Sequence, residues 1–412
     1  MTSPQRILFL GPVGVLGGAE RVLLDAVRAL KEERPELALK VLTMTPGPLL
    51  DEARDAGAEA ELIEMPRALA ELGDSSAGNR GVGFARQLAQ VAGSPEVYRF
   101  HDELRRCARA FRPDLVHSNG LKTHLLAPSV SPRHVPIVWH LHDFVSQRPV
   151  MRRGLLAVRR QAALGLAISR AVAEDFQSAL GHLPVQVLHN AVDCGRFSPG
   201  PGDGPALEAL AGLPPAPAGT VRVGLVATYA RWKGHEVFLR AAARVAARSP
   251  RLPVRFYVVG GPIYRTPDSQ YSRDELVGLA QGLGLHARVG FIPFQADTVP
   301  VYRALDVAVH ASTSPEPFGL TIVEAMACAR PVVVSLAGGA RELVHPGEDA
   351  LAASPQDIRA LSEAMERLAG DALLRERLGA AARRTTLQRF SRERWGARLL
   401  EAYALAVTSA KR

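Results

Sequence analysis

Two doubly wound α/β domains are what this sequence predicts, and three observations carry the prediction. Strand signals alternate with helical ones from the first residues onward, the sign of parallel sheets with helices on both faces. The chain has 412 residues, more than one ordinary domain holds and enough for two that each bury a core. A stretch dense in Pro, Gly and Ala, SPGPGDGPALEALAGLPPAPAGT at 198–220, divides the alternation into two sets.

In the first set, residues 6–10 read as a strand, GPVGVLGGAE as a glycine-rich loop and 19–30 as a helix. A strand at 38–44, a short helix near 49–56 and a strand near 61–64 follow. Residues 66–94, centred on GDSSAGNRGVG, lack periodicity and read as a mobile surface insertion. Then come a basic helix (96–111), a strand (114–118), a helix (121–130), a strand (137–142), a second basic helix near 150–163, a strand (166–169), a helix from 170 and a strand (185–189). The second set opens with a strand at 221–227. It continues with a helix (234–248), a strand (255–259), a helix (273–283), a strand (287–291), a helix (297–305) and a strand (307–312). GGARELV at 338–344 begins another helix, and 356–409 is almost wholly helical. The expected domains are therefore 1–197, a linker at 198–220, 221–390, and a C-terminal helix at 391–412.

An apolar fraction of 47% and a mean hydropathy of +0.02 indicate a soluble globular protein. The apolar run at 7–10 is too short for a signal peptide, and no window approaches the roughly 18 apolar residues of a membrane span. Cys107, Cys194 and Cys328 stand far apart without metal-ligand spacing, which favours reduced thiols and a cytoplasmic setting. The net charge is +9, yet only five of the 50 basic residues are lysine, and no lysine block, aromatic-interleaved basic motif or zinc-finger spacing occurs. That argues against nucleic acid as a partner. The two basic helices, one with Arg105, Arg106 and Arg109 and the other with Arg152, Arg153 and Arg159, read either as solvated faces or as contacts with anionic lipid. Peripheral attachment at the inner face of the plasma membrane stays open.

The stretch that organises the rest is SPEPFGLTIVEAMACARPVVVS at 314–335: a loop, a helix and a strand, following the strand VAVHAS. Pro315 and Pro317 hold Glu316 in extended backbone, so the helix opens at about Phe318 and Gly319. Amides of Phe318, Gly319, Leu320 and Thr321 at the helix start suit a phosphate, and Glu324, seven residues beyond Glu316, suits a ribose diol. Taken alone, each reads as structural, Glu316 as a helix cap and Glu324 as a solvated helical carboxylate. Together, E-P-F-G-L-T-I-V-E resembles the E-x7-E motif of the retaining glycosyltransferases of family 4, the glycosyl transferases group 1.

That resemblance implies a GT-B fold: two Rossmann-like domains facing across a cleft, with the last helix crossing back to the first domain. It also implies a nucleotide-diphosphate sugar donor on the C-terminal domain and an acceptor entering from the N-terminal one. Further loops fit. Gly11, Gly14, Gly17 and Gly18 follow the first strand, but the acidic residue of a dinucleotide site is missing from VLTMTPG, and no P-loop Lys-Ser/Thr follows. GGAER instead resembles the family's N-terminal loop, whose Gly17 and Gly18 amides approach the donor. His142, in WHLHDF, is either a packed or capping histidine or a site residue at a strand end. The resemblance favours a site residue that donates a hydrogen bond to the reacting sugar or leaving phosphate, with His117, His140 and His189 left as packing. In VATYARWKGHE, Lys233 matches the family's K-G, while Thr228 stands where the family usually has arginine. Arg231 is expected to compensate, so that Arg231 and Lys233 together neutralise a diphosphate. YVVGG, with Gly260, and VGFIPF resemble segments flanking the nucleobase, while Gly338, Gly339 and Glu342 complete the phosphate side. NAVD carries Ala191 where the family has glycine, which places that turn's backbone in question.

The function implied is sugar transfer with retention, to a glycan, lipid-linked or small-molecule hydroxyl acceptor, in cell-envelope polysaccharide or glycolipid synthesis. No clustered Asp and His metal ligands are evident, so no metal cofactor is expected. A two-carboxylate hydrolase and a catalytically silent nucleotide-sugar-binding scaffold are the rival readings, separated by product analysis and by donor turnover. The donor's base and sugar, and the acceptor itself, are not legible.

Overall fold

Short runs of Val, Ile and Leu such as VRVGLV and VRFYVV become strands buried on both faces, and a sheet made of them is parallel because helices cover it on each side. The computed structural model describes residues 3–70, 94–262, 269–285 and 287–410. It divides into two compact units, Met1–Ala191 with Arg392–Arg412, and Val192–Ser391.

The first unit holds β1 (Arg6–Gly11), β2 (Ala38–Thr43), β3 (Glu59–Leu62), β4 (Leu115–Ser118), β5 (Ile137–Leu141), β6 (Leu164–Ala167) and β7 (Val185–Val187). Their order is β3-β2-β1-β4-β5-β6-β7, every neighbouring pair parallel. The chain runs outward from β1 and returns to place β4 beside it, so the order reverses between β1 and β4. Ligands bind at such a switch point, beyond the carboxyl ends of the strands. The second unit repeats the plan with β8 (Val221–Val226), β9 (Val254–Val259), β10 (Val289–Ile292), β11 (Val307–His310), β12 (Val332–Ser335) and β13 (Ala350–Ala353), ordered β10-β9-β8-β11-β12-β13. Here the reversal lies between β8 and β11. Its core joins Val223, Phe256, Val258 and Val307 of the strands to Phe238, Leu239, Met365 and Leu368 of the covering helices.

The helix Arg392–Ala410 belongs to the first unit and packs on the helix Gly18–Glu33. Arg392 reaches Asp25 (3.6 Å) and Glu32 (2.8 Å), and the buried Tyr403 hydroxyl meets His117 Nδ1 at 2.7 Å. Gly396 lets the two helices come close: a Cβ there would stand 2.6 Å from the Ala29 carbonyl oxygen.

Three expectations change. The stretch 198–220 is no free linker: Asp203 caps a helix, Gly204–Leu210, by accepting from the Ala206 amide. Leu207 is buried with Tyr257, Val259 and Ile292, and Glu208 pairs with Arg222 at 2.8 Å. Gly204 and Pro205 are first-turn residues of that helix, which composition alone does not distinguish from a spacer. The unit boundaries accordingly fall at Ala191/Val192 and Ser391/Arg392. Residues 338–344 form only a 3-10 turn, Gly339–Glu342, followed by β13, whose sequence ALAA carries no strand signal of its own. Of the irregular segment at 66–94, Arg67–Ala70 is a short helix and 71–93 lies outside the described residues. Ala191 is buried and is not among the residues with positive φ, so the NAVD turn accommodates alanine without strain.

Helix propensity alone would favour alanine over either of two helical glycines, Gly396 and Gly278. At Gly278 nothing lies within 4 Å of an added Cβ, so Gly278→Ala is expected to stabilise by about 0.5–1 kcal/mol. Gly396→Ala is expected to destabilise by about 1–3 kcal/mol through overpacking, the opposite sign. Urea unfolding of the two variants measures both.

Candidate active site

At the switch point of the second unit, the chain leaves β11 at His310, turns through Ser312 and Glu316, and enters the helix Leu320–Ala327. Glu316 is 6% exposed. Both its carboxylate oxygens lie 2.8 Å from Lys233 Nζ, and Oε2 also accepts from Ser312 Oγ (2.9 Å) and meets His310 Nε2 at 3.1 Å. Burial pushes this carboxyl up, but the Lys233 charge and the His310 contact outweigh it and hold the group below the usual carboxylate range. Glu316 is thus ionised, and the charge is satisfied by four hydrogen bonds.

Two glycines make this possible. Lys233 ends a 3-10 turn, Arg231–Lys233, and Gly234 follows at φ 78°, where a side chain would overlap the Ala311 carbonyl. Gly338, at φ 61°, lies against the Glu316 backbone in the same way, and the Gly339 amide donates to the Glu316 carbonyl at 2.7 Å. Lys233 Nζ also stands 4.0 Å over the Trp232 ring.

Gly319, at φ 110°, caps the helix, and its carbonyl accepts from the Ile322 amide at 3.0 Å. Phe318 is buried against Phe390, ring centroids 6.1 Å apart. Leu320 and Thr321 form the first helical turn. Glu324, on the same helix, is half-buried and accepts from the Tyr302 hydroxyl at 3.0 Å. Tyr302, Thr321 and His310 line a small cavity under the helix together with Val226, Ile322 and Val332. Gly260 follows β9 and donates its amide to the Ile292 carbonyl at 2.9 Å. Glu342 closes the neighbouring 3-10 turn, its carbonyl accepting from Arg389.

Arg231 does not join this group. Its guanidinium binds Glu275 at 2.8 Å and lies 4.3 Å over the Tyr271 ring, so the compensation expected for Thr228 is spent on a surface pair. Conversely, His310 and Ser312, both buried, bond Glu316 directly and were not singled out from the sequence. The signal was present: His310 ends a central strand, as His142 nearly does.

In the first unit, His142 follows β5 beside Asn119, which follows β4. Asn119 is 1% exposed; its Nδ2 donates to the Ala19 carbonyl (3.0 Å), which turns Oδ1 toward His142 Nε2 (2.9 Å). The donor expected of His142 is therefore committed to Asn119 rather than free for a sugar or phosphate. Burial pushes His142 down to about 3, so it is neutral at pH 7. Behind it lies a buried row of tilted and edge-on rings: His140, its centroid 4.2 Å away, then His117, whose Nε2 is 3.2 Å from His140 Nδ1, then Tyr403. Burial lowers His117 and His140 too, in keeping with packing roles. Gly17 and Gly18 open the first helix, and the Gly17 amide donates to the buried Glu20 carboxylate at 3.1 Å. Burial carries Glu20 up to about 7, with backbone hydrogen bonds opposing the rise and the Asp143 charge adding to it.

On the two basic helices, Arg106 pairs with Asp102 (2.9 Å) and Arg152 donates to the Ala179 carbonyl (3.2 Å). Among the described residues no helix is long and apolar enough to cross a membrane.

Two doubly wound parallel-sheet units, with a buried carboxylate and lysine at one switch point and a neutral histidine at the other, define the class: a two-domain α/β protein built to hold a polar ligand at its strand ends. Comparison with known proteins makes this specific. The family model described as Glycosyltransferase Family 4 matches residues 16–196, and that described as Glycosyl transferases group 1 matches 220–371. The chain belongs to this glycosyltransferase family and has the GT-B fold. D-inositol 3-phosphate glycosyltransferase of Rhodococcus erythropolis is 36% identical over 227 residues, 55% of this chain and 49% of that protein. A namesake from Salinispora arenicola is 35% identical over 233 residues. The chain thus spans about half the length of these curated relatives. Among solved structures, Anabaena HepE in complex with UDP and glucose superposes with a TM-score of 0.78 and 26% identity over 97% of this chain and 99% of that one. Sucrose-phosphate synthase from Thermosynechococcus elongatus, 20% identical at a TM-score of 0.74 and covering 97% and 98% of the two chains, shares the fold.

The charge pair sets a pH signature. Because the folded Glu316 carboxyl lies below its ordinary value of 4.5, its contribution to stability is full above that value and is lost as pH falls through the folded one. Lys233→Met leaves the carboxylate buried without its cation and is expected to cost roughly 3 kcal/mol at pH 7. In the variant burial wins and the carboxyl rises above 4.5 instead, so the deficit should begin to shrink above pH 4.5, as that carboxyl protonates, and go on shrinking as pH falls. Urea unfolding of both proteins across pH 3–7 is the measurement, and a pH-independent deficit contradicts the account.

Proposed function

We propose that this chain transfers a glycosyl group from a uridine-diphosphate sugar to an acceptor hydroxyl with retention of anomeric configuration. The observation that carries the reading is the buried Lys233–Glu316 pair at the end of β11. Glu316, held ionised, faces electron-poor sugar carbon and sugar hydroxyls; Lys233 offers charge to the departing diphosphate; the amides of Gly319, Leu320 and Thr321 take phosphate oxygens. Glu324, oriented by the buried Tyr302 hydroxyl, holds the ribose. The departing phosphate itself serves as base for the acceptor hydroxyl, so no protein nucleophile is needed. Uridine as the base is supported by HepE, whose structures are described with UDP and with UDP-glucose. The hydrolase alternative fits less well, because its ionised carboxylate must attack or activate water, and both Glu316 oxygens are already engaged by Lys233, Ser312 and His310.

A thermal-shift series with UDP, other nucleoside diphosphates and their sugars comes first. Turnover of the best donor against polyol, glycan and lipid-linked acceptors follows, with the anomeric configuration of the product read by NMR. The acceptor panel includes inositol phosphate, after the relatives' names. Donor binding without turnover would leave a binding scaffold, and free sugar as sole product a hydrolase. Glu316→Gln is expected to retain UDP binding and to lower kcat/KM by about 10²–10³-fold.

The reading also needs no metal, since Lys233 and backbone amides supply the positive charge. Activity is expected to be unchanged in excess EDTA, and complete loss restored by a divalent cation would contradict it.

A further inference from the structure

The imidazole of His142 has two nitrogens, and the structure decides what each does. Ala19 offers a carbonyl oxygen, which only an N–H can meet, so Asn119 must present Nδ2 to it and Oδ1 to His142. An oxygen at 2.9 Å from Nε2 requires the proton on Nε2, and a neutral ring then carries a lone pair on Nδ1. Among the described residues no group is recorded bonding that second nitrogen. Asn119 cannot relax from this arrangement: it is buried, and its own amide donates to the Leu10 carbonyl at 2.9 Å. The His140 ring packs against it at a tilt of 45°, centroids 4.2 Å apart.

We infer that Asn119 is a positioning residue, which holds His142 in the Nε2–H form so that Nδ1 meets the substrate as a hydrogen-bond acceptor from a hydroxyl. Through Ala19 the same side chain ties His142 to the Gly17–Gly18 loop, so one amide sets both the tautomer and the spacing of two strand-end segments. The inference rests on the glycosyl-transfer reading for its catalytic consequence. It changes the chemistry of that reading: His142 selects a neutral hydroxyl, since an Nδ1 lone pair repels a phosphate oxygen. The titratable groups packed around the ring are His140, His117 and His124, all lowered by burial, with Asp143 next in the chain.

The test uses full-length protein with 15N-labelled histidine, comparing wild type, Asn119→Leu and Asn119→Asp, with His142→Gln to identify the resonance. Wild type is expected to show one neutral tautomer with the proton on Nε2. In Asn119→Leu the tautomers should mix, with kcat falling about 10–100-fold, as for loss of an outer partner of a functional histidine, and KM for the donor nearly unchanged. Asn119→Asp keeps the acceptor toward Nε2, gives up the donor to the Ala19 carbonyl, and places a carboxylate beside the ring, which raises the imidazole's affinity for a proton. Its activity should therefore acquire a limb that wild type lacks, declining as pH falls because protonated Nδ1 no longer accepts. Circular dichroism and Tm establish that the variants fold. A wild-type proton on Nδ1, an unchanged tautomer in Asn119→Leu, or a changed tautomer with unchanged kcat each overturns the inference. If wild type turns over no nucleotide sugar, the glycosyl-transfer reading fails instead, and the tautomer spectra then decide the geometry of Asn119 by themselves.

Discussion

A carboxylate with 6% of its surface exposed costs several kcal/mol to bury, and the second unit is built to make that burial tolerable at Glu316. One lysine, one hydroxyl and one imidazole converge on it, each within 3.1 Å. None is adjacent in sequence to all the others: Lys233 arrives from the turn after β8, His310 from the end of β11, and Ser312 from the loop beyond. The order of strands brings them together, because β8 and β11 are neighbours across the point where the sheet's winding reverses. A well-packed apolar substitute of similar volume would often be no less stable than such an ion pair. Stability alone therefore gives little reason for this pair, and a reason in ligand chemistry is the stronger account.

The backbone around the pair is packed loop on loop, which is why its glycines are not interchangeable with other residues. At Gly234 a side chain would collide with the Ala311 carbonyl, moving the Lys233 turn away from the β11 loop. At Gly338 it would collide with the backbone of Glu316 itself. The K-G pairing legible at 233–234 is thus a charge plus the close approach that delivers it, and the Gly338–Gly339 pair is the equivalent on the other side of the acid.

Much of this was readable from the chain. The alternation of strand and helix, the doubly wound sheets and the loop carrying Glu316 follow from local periodicity and from Pro and Gly placement, which act over a few residues. What escaped depends on distant partners. β13 is a strand only because β12 pairs with it, register Val332 to Ala350 through Ser335 to Ala353. The helix Gly204–Leu210 hides in a Pro-rich composition because its reason to form is Leu207 and Glu208 being buried by residues far along the chain. Arg231 was placed by charge and proximity to Lys233, two residues on. Two residues along a 3-10 turn point in different directions, and Glu275 with Tyr271 captured it. His310 was missed for the complementary reason: inside VAVHAS it reads as one polar interruption in an apolar run, and its partner Glu316 is a loop away.

The two units solve the problem of polar groups at strand ends in opposite ways. The second keeps full charges and satisfies them by pairing. The first buries His117, His140 and His142, all lowered so that they stay neutral, in a row of rings that ends on Tyr403 of the C-terminal helix. A neutral imidazole in a shell of neutral imidazoles offers an anion no countercharge, whereas Lys233 and Glu316 respond to charge first. If one substrate carries a diphosphate and the other an alcohol, the division of labour follows from the electrostatics. The charged site suits the group whose negative charge grows as the bond breaks, and the neutral one suits a hydroxyl that must be recognised before it has any charge at all. The C-terminal helix then has a chemical as well as a packing role, since without Tyr403 the innermost histidine would lose the hydroxyl that meets its Nδ1.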